Sequence, residues 1–216
     1  HGAHRILRPE HALHPDGRLS AAQVFRRTDQ RVQGFGNIWI GTYRNGTFCF
    51  HKNQTPFQKS MSGKNIECMS TDHSGNYWIG SLNGEVCVLD STQKQIMGKT
   101  IFPNDMIHTI CGQESSNKVW VGTMYGLYEA WIESNKQIVY QKTSGINIPS
   151  IRSIVQDSCF LWIASYNNGV TLYNYSTQQS VVTYKTDSEV LPLPSNTIRT
   201  ILKDRENNLW VGTAEG

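Results

Sequence analysis

Asn-Leu-Trp-Val-Gly-Thr at residues 208–213 is the last of five versions of one phrase in this 216-residue chain. The earlier versions are Asn-Ile-Trp-Ile-Gly-Thr at 37–42, Asn-Tyr-Trp-Ile-Gly-Ser at 76–81, Lys-Val-Trp-Val-Gly-Thr at 118–123 and Phe-Leu-Trp-Ile-Ala-Ser at 160–165. Successive tryptophans are 39, 42, 42 and 48 residues apart. A period of about 40–50 residues built of short β-type segments is typical of propeller blades. The phrase therefore predicts an all-β fold, a β-propeller.

Short strands are predicted on both sides of each phrase. An Ile-x-x-Ile segment precedes the tryptophan, as at 107–110 and 198–201. The i, i+3 spacing also suits a helix, but the short length and the Ile and Thr content favour a strand. After the phrase, Asn-Gly at 83–84 or 168–169 predicts a tight hairpin in which both central residues take positive φ. An alternating third strand and a weaker fourth complete a four-stranded antiparallel blade.

The repeat also predicts the organisation of the chain. Residues 1–20 are expected to be irregular, with blades near 21–62, 65–102, 106–143 and 150–186 and a half blade at 197–216. The first blade departs from the pattern, because Arg27 stands where Ile is expected and Val24-Phe25 must substitute. We expect about four and a half blades of a larger ring. A five-bladed ring and an open or irregular N-terminal unit are the alternatives.

The recurring residues of the phrase are predicted to be structural. Residues two apart on a strand share a face, so the Trp and the Gly of each phrase point the same way. The small Gly is expected to leave room for a bulky side chain of the neighbouring blade. The structural set is Trp39, Trp78, Trp120, Trp162, Trp210, Gly41, Gly80, Gly122 and Gly212.

Composition excludes several classes of protein. Hydrophobic residues make up 38% and charged residues 17%, as in a globular domain. A formal net charge of +3 without clustered Lys or Arg argues against a nucleic-acid partner. No apolar stretch is long enough for a membrane helix. None of the five cysteines forms a C-x-x-C pair, and all five are interpreted as small buried hydrophobes.

The segment Leu-Pro-Ser-Asn-Thr-Ile-Arg-Thr-Ile-Leu-Lys-Asp-Arg-Glu-Asn-Asn-Leu-Trp-Val-Gly-Thr at 193–213 closely resembles the two-component regulator propeller repeat, and 147–164 and 104–122 are looser copies. The resemblance covers residues 60–216. In that family, two seven-bladed propellers usually form the extracytoplasmic sensor of a hybrid histidine kinase, as in gut Bacteroidetes. An immunoglobulin-like domain, a membrane helix and kinase and receiver domains follow.

The resemblance implies a periplasmic fragment of a seven-bladed ring, with the remaining blades and the kinase domains outside this chain. It also implies a homodimer in the complete protein and recognition of polysaccharide breakdown products. The chain contains no phospho-acceptor box and no ATP-binding glycine motif, so no enzyme activity is expected of it. The predicted function is an oligosaccharide-binding sensor. The alternatives are a protein-interaction propeller and, third, a propeller lyase.

Ligands of propellers usually bind where the loops of one face converge around the channel. Tyrosines there would stack on sugar rings, asparagines would bind hydroxyl groups, and Arg44 would pair with a uronate or sulfate. The alternative is that Asn serves turn geometry and Tyr serves packing. The candidate ligand-binding residues are Tyr43, Arg44, Asn45, Asn83, Tyr125, Tyr166, Asn167 and Asn168.

No catalytic constellation, metal site or cofactor site is predicted. The spaced His1, His4, His11 and His14 are interpreted as a terminal tail. His73 and His108 lack a carboxylate, Ser or Cys partner at motif spacing. An Asp recurs at the end of the first strand of several blades and is expected to cap the following turn, as Asp72, Asp157 and Asp204.

Overall fold

A computed structural model describes the backbone and side chains of residues 64–90, 102 and 104–215, and the backbone of strands within 22–60 and 95–100. These parts contain eighteen strands and no helix, which confirms the all-β class. No helix within them is therefore long and apolar enough to cross a membrane. The terminal histidines and residues 1–20 lie outside the described residues.

The strands form four four-stranded antiparallel sheets and one two-stranded sheet, which we call blades 1 to 5. Blade 1 contains β1 (Ala22–Arg26), β2 (Ile38–Thr42), β3 (Gly46–His51) and β4 (Gln54–Ser60). Blade 2 contains β5 (Ile66–Thr71), β6 (Tyr77–Ser81), β7 (Glu85–Leu89) and β8 (Gln95–Thr100). Blade 3 contains β9 (Ile107–Gly112), β10 (Lys118–Thr123), β11 (Leu127–Ile132) and β12 (Ile138–Lys142). Blade 4 contains β13 (Ile151–Asp157), β14 (Phe160–Ser165), β15 (Val170–Asn174) and β16 (Gln179–Tyr184), and blade 5 contains β17 (Ile198–Lys203) and β18 (Leu209–Thr213).

The chain divides into two compact units, His1–Ile66 and Glu67–Gly216. In the first unit, blade 1 pairs in the order β1-β2-β3-β4. Phe25 and Val24 of β1 lie opposite Trp39 and Ile40 of β2. Val24 and Phe25 therefore lie in the first strand of this blade, which is the strand that carries the Ile-x-x-Ile segment in blades 3, 4 and 5.

In the second unit the Trp-containing strand is the second of every blade and has a paired strand on each side in blades 3 and 4. Blades 2, 3, 4 and 5 also pack face to face in that order. Ile107 and Ile110 of blade 3 share a buried cluster with Trp78 and Val86 of blade 2. Burying one such aliphatic side chain contributes about 1.5–3 kcal/mol, so the interfaces between blades hold most of the core.

A β-bulge near the start of the first strand explains the Ile-x-x-Ile spacing. Ile107 lies opposite Thr123 and Thr109 lies opposite Gly122, so His108 is left without a partner in the ladder. The same shift leaves out Arg152 in blade 4 and Arg199 in blade 5. In a regular strand, residues three apart lie on opposite faces. The one inserted residue of the bulge places the two isoleucines on the same face.

The glycines of the phrase lie where the next blade approaches most closely. A Cβ atom on Gly122 would lie 2.5 Å from Ile151 Cγ2 of blade 4 and 2.6 Å from Thr109 Cγ2. A Cβ atom on Gly80 would lie 2.7 Å from Ile107 Cγ2 of blade 3. Trp78 is completely buried and Trp120 is 4% exposed, whereas Trp210 of blade 5 is 62% exposed. The Trp and Gly faces of blades 2 and 3 thus receive the isoleucines of the next blade.

The Asn-Gly turns differ from the predicted geometry. Gly84 and Gly169 have φ values of 77° and 68°, but Asn83 and Asn168 are not among the described residues with positive φ. Gly84 N donates to Ser81 O at 3.2 Å, which closes a turn over Leu82 and Asn83 before the glycine. The prediction that both central residues take positive φ was therefore wrong, because the turn is one residue longer and only its glycine needs the left-handed region.

Two aspartates at the end of the first strand organise the turn before the tryptophan. Asp72 accepts hydrogen bonds from Asn76 N at 2.9 Å, Asn76 Nδ2 at 2.9 Å and Trp78 Nε1 at 3.0 Å. Asp204 makes the same three contacts with Asn208 and Trp210. Blade 4 departs from this arrangement, because Asp157 lies within β13 and pairs with Lys203 Nζ at 2.7 Å.

The burial of the cysteines agrees only in part with the prediction that all of them are buried. Cys68 and Cys87 are buried, while Cys111 and Cys159 are half-buried, and all four thiols are free. Burial raises the pKa of the Cys111 thiol to about 11, so this group stays protonated at neutral pH. The side chain of Cys49 lies outside the described residues.

Candidate functional site

The turns after the second strands and the links between blades form one hydrogen-bonded surface. Met124 N donates to Met106 O at 3.1 Å, Ser150 N donates to Met124 O at 2.8 Å, and Tyr166 N donates to Ser150 O at 3.0 Å. We call this surface the loop face. It comprises the turns 82–84, 124–126, 166–169 and 214–215 and the link residues 104–106, 143–150 and 185–197.

The structure places part of the predicted ligand-binding set on the loop face. Asn83 is exposed, and its amide accepts from Ser81 Oγ and donates to Glu85 Oε2 at 3.4 Å. Tyr125 is 59% exposed at the tip of its turn. Tyr43, Arg44 and Asn45 lie outside the described residues.

Blade 4 carries the other three predicted residues. Asn167 is exposed, and its Oδ1 accepts from Thr197 Oγ1 at 3.4 Å, while Asn168 is half-buried beside Gly169. The ring of Tyr166 is half-buried and lies under two guanidinium groups. Arg152 Cζ lies 5.1 Å and Arg199 Cζ lies 5.4 Å from its centroid. These cation–π contacts, rather than an open ring face, define the surroundings of Tyr166.

Arg152, Arg199 and His108 are further candidate site residues that were not predicted from the sequence. All three are the bulged second residues of the first strands, which begin at the loop face. We call them the bulge row. Arg152 Nη1 lies 3.3 Å from His108 Nδ1, so the guanidinium donates to a neutral imidazole. The usable signal was the variable residue after the leading isoleucine of the first strand, which reads Glu, His, Arg and Arg in blades 2 to 5 while that isoleucine recurs.

The charges of the bulge row follow from its surroundings. Burial, assisted by the Arg152 charge and opposed by Asp105, lowers the pKa of His108 to about 4. His108 is therefore neutral at pH 7. Burial raises the pKa of the nearby Glu67 carboxyl, with the Arg152 charge acting in the opposite direction. The positive charge of the row thus resides on Arg152 and Arg199.

Other chemistry is not assembled in the described part of the chain. No three His, Cys, Asp or Glu side chains there come together in a way that would hold a metal ion. His73 is exposed in the turn after β5. His108 contacts Arg152 rather than a carboxylate or a nucleophile, which gives it no general-base geometry.

Residues 192–215 match the model of the family described as two component regulator propeller. Blade 5 is thus similar to one repeat of that family. The match covers blade 5 and the end of the link before it, and it includes the Ile-x-x-Ile strand, Asp204 and the Trp phrase. No relative was found among curated protein sequences.

Solved structures with similar folds include extracellular domains of proteins described as two-component or one-component systems. The extracellular domain of BT3049 from B. thetaiotaomicron, described as a hybrid two component system, is 25% identical with a TM-score of 0.67 over 88% of this chain. The extracellular domain of BT4673 from the same organism, described as a one component system, is 19% identical with a TM-score of 0.66 over 83% of the chain. PorZ of Porphyromonas gingivalis, a surface component of the type-IX secretion system, is 16% identical with a TM-score of 0.64 over 87%.

These likenesses establish the propeller fold around the repeat. Because the BT4673 domain and PorZ are less than 25% identical to this chain, their similarity shows the fold alone. The chain spans 25% of the length of the BT3049 and BT4673 domains and 31% of PorZ.

Proposed function

We propose that this chain is part of an extracytoplasmic sensor propeller of a hybrid two-component system, and that it binds an oligosaccharide at its loop face. The observation that carries the proposal is the two component regulator propeller repeat at 192–215, together with the similarity to the extracellular domain of BT3049. The sensor acts from the periplasm, controls a histidine kinase outside this chain, and has no enzyme activity of its own.

The loop face offers chemistry suited to sugars. An exposed Tyr125 ring provides an apolar surface for a pyranose, and the amides of Asn83 and Asn167 lie exposed on neighbouring turns. The turn tips differ from blade to blade while the Trp and Gly phrase recurs, so a ligand would meet a different set of side chains at each tip. Ligand binding is expected to change the packing of a homodimer and so the activity of the kinase.

Isothermal titration calorimetry against a panel of neutral and acidic plant and host oligosaccharides tests the proposal. We expect at least one member of the panel to bind, and Tyr125→Ala to weaken that binding by about tenfold through loss of the stacking surface. Met106→Ala is the matched control, because Met106 is also exposed on the loop face but offers no ring or hydrogen-bonding group.

A panel that gives no binding heat would count against the oligosaccharide sensor. If a peptide or protein bound the same face instead, the protein-interaction propeller would replace it. Conversion of an oligosaccharide to unsaturated products would establish a lyase. A gene that encodes this chain without a histidine kinase, in the same protein or beside it, would overturn the link to a two-component system.

A further inference from the structure

The bulge row combines a repeated backbone feature with side chains that the fold does not require. A β-bulge is needed to bring the two isoleucines onto one face, but the inserted residue itself is free to vary. In blades 3, 4 and 5 it is His108, Arg152 and Arg199. Bulges commonly aim a side chain toward a functional site, so the identities of these residues call for a chemical explanation.

Two guanidinium groups of this row contact the same aromatic ring. Both lie against the Tyr166 ring, at 5.1 and 5.4 Å from its centroid. In the described part of the chain, neither is in an ion pair with a carboxylate. Two positive charges held beside one ring raise the local positive potential, and a bound anion would offset it.

Arg152 also has a donor that lacks an acceptor. Its Nε is buried and has no hydrogen-bond partner, and its Nη1 is engaged by His108. An unsatisfied buried donor of a charged group is costly, so a shift of the side chain that brings this N–H to an acceptor is favourable. Glu67 interacts with the Arg152 charge but makes no hydrogen bond to it, so this carboxylate does not fill the place.

Guanidinium groups bind carboxylates and sulfates through paired N–H donors in one plane, which a neutral sugar hydroxyl does not match. The Tyr166 ring holds both guanidiniums in position, so little side-chain entropy is lost when an anion binds. From this geometry we propose that Arg152 and Arg199, held by Tyr166, form a binding site for the carboxylate or sulfate of an acidic oligosaccharide. The saccharide part of this inference rests on the proposed function, whereas the anion site rests on the described side chains alone.

Four probes test the site on the purified protein: inorganic sulfate, a glucuronate-containing disaccharide, a sulfated disaccharide and a neutral disaccharide. Binding is followed by calorimetry and by the arginine Nε–Hε signals in NMR spectra. The variant is Arg199→Gln, because Arg199 is exposed and its loss leaves the core intact. Arg205→Gln is the matched control, since Arg205 is exposed in the turn between β17 and β18, at the opposite end of these strands.

We expect an acidic disaccharide to bind more tightly than the neutral one, and Arg199→Gln to raise its dissociation constant about tenfold or more. Arg199→Lys should bind the acidic disaccharide with an affinity between those of the unmodified protein and Arg199→Gln. Lysine keeps the positive charge but loses the planar pair of donors. Arg205→Gln should bind like the unmodified protein. The comparison of the uronate with the sulfated probe identifies which anion the site accepts.

Two results would overturn the anion site: acidic probes that bind no better than the neutral one, or binding that Arg199→Gln leaves unchanged. The proposed function survives either result if a neutral oligosaccharide binds. Sulfate that shifts the arginine signals in an Arg199-dependent manner, with no oligosaccharide bound, would instead keep the anion site and reject the oligosaccharide sensor. Absence of any binding would reject both.

Discussion

At the scale of single residues, a methyl group on Gly122 has no free space. Its Cβ would lie 2.5 Å from Ile151 Cγ2 and 2.6 Å from Thr109 Cγ2, well inside normal contact. Gly212 occupies the same place in blade 5, where the nearest side-chain atom to a Cβ is Thr200 Cγ2 at 3.0 Å. Blade 4 has Ala164 there, completely buried, so this interface has adjusted to a methyl group.

We expect Gly122→Ala to lower the free energy of unfolding by about 1–3 kcal/mol, as overpacked cores do. Gly212→Ala should cost less, because Thr200 faces an exposed surface and moves aside. Urea denaturation followed by tryptophan fluorescence measures both. Equal losses in the two variants would mean that strand geometry, rather than the approach of the next blade, selects glycine in the phrase.

The Asp and Trp contact supports a second residue-scale prediction. Asp72 and Trp78 are both buried, so Asp72→Ala leaves the Trp78 Nε1–H without its acceptor inside the core. We expect a loss of about 1–3 kcal/mol in the free energy of unfolding. The control is Asp204→Ala, which breaks the same contacts at the exposed Trp210, where water replaces the carboxylate. Its cost should be clearly smaller when both are measured by urea denaturation.

At the scale of strands, the bulge was the feature that sequence analysis could not foresee. Ile107 and Ile110 are three residues apart, a spacing that occurs both in a helix and in a bulged strand. The residue types favoured a strand, but they did not explain this spacing. The Trp and Gly phrase, by contrast, predicted the faces of the second strand, because a period of two needs no further information. Arg152 and Tyr166 come together only through the bulge and the start of the turn after β14, so their contact had no signature in the sequence.

The bulge row also makes stability depend on pH through His108. Its pKa is about 4 in the folded protein against an ordinary value of 6.5, because burial and Arg152 oppose its protonation. Above pH 6.5 the imidazole is neutral in both states, so the folded state keeps its full stability. As the pH falls from 6.5 to 4, the unfolded chain takes up a proton that the folded protein does not, and stability decreases.

We expect the stability of the unmodified protein to fall by up to about 3 kcal/mol more than that of His108→Gln between pH 6.5 and 4. Glutamine retains an acceptor for Arg152 but does not titrate. Urea denaturation at a series of pH values gives the difference, and other titrating groups cancel because both proteins share them. Parallel curves, or an NMR titration with a midpoint near 6.5, would show that His108 is hydrated in solution.

At the scale of the whole molecule, the blades of the second unit are held together in sequence order. The buried cluster of blades 2 and 3 contains Trp78 and Ile107, that of blades 3 and 4 contains Trp120 and Ile151, and that of blades 4 and 5 contains Ala164 and Ile198. In repeat proteins of this kind, stability is approximately a sum of blade and nearest-neighbour interface contributions. A defect in one interface should therefore lower mainly the stability of the two blades that share it.

Leu161→Ala tests this nearest-neighbour behaviour. Leu161 is fully buried in the cluster between blades 3 and 4, so its truncation should cost about 2–5 kcal/mol. Hydrogen exchange followed by mass spectrometry should show faster exchange in β9–β12 and β13–β16, and a smaller change in β5–β7. Leu202→Ala, at a side chain that is 63% exposed, is the control and should change exchange little in any blade. Uniform acceleration across blades 2 to 5 would contradict the nearest-neighbour description, because it would show that the second unit opens as one cooperative body.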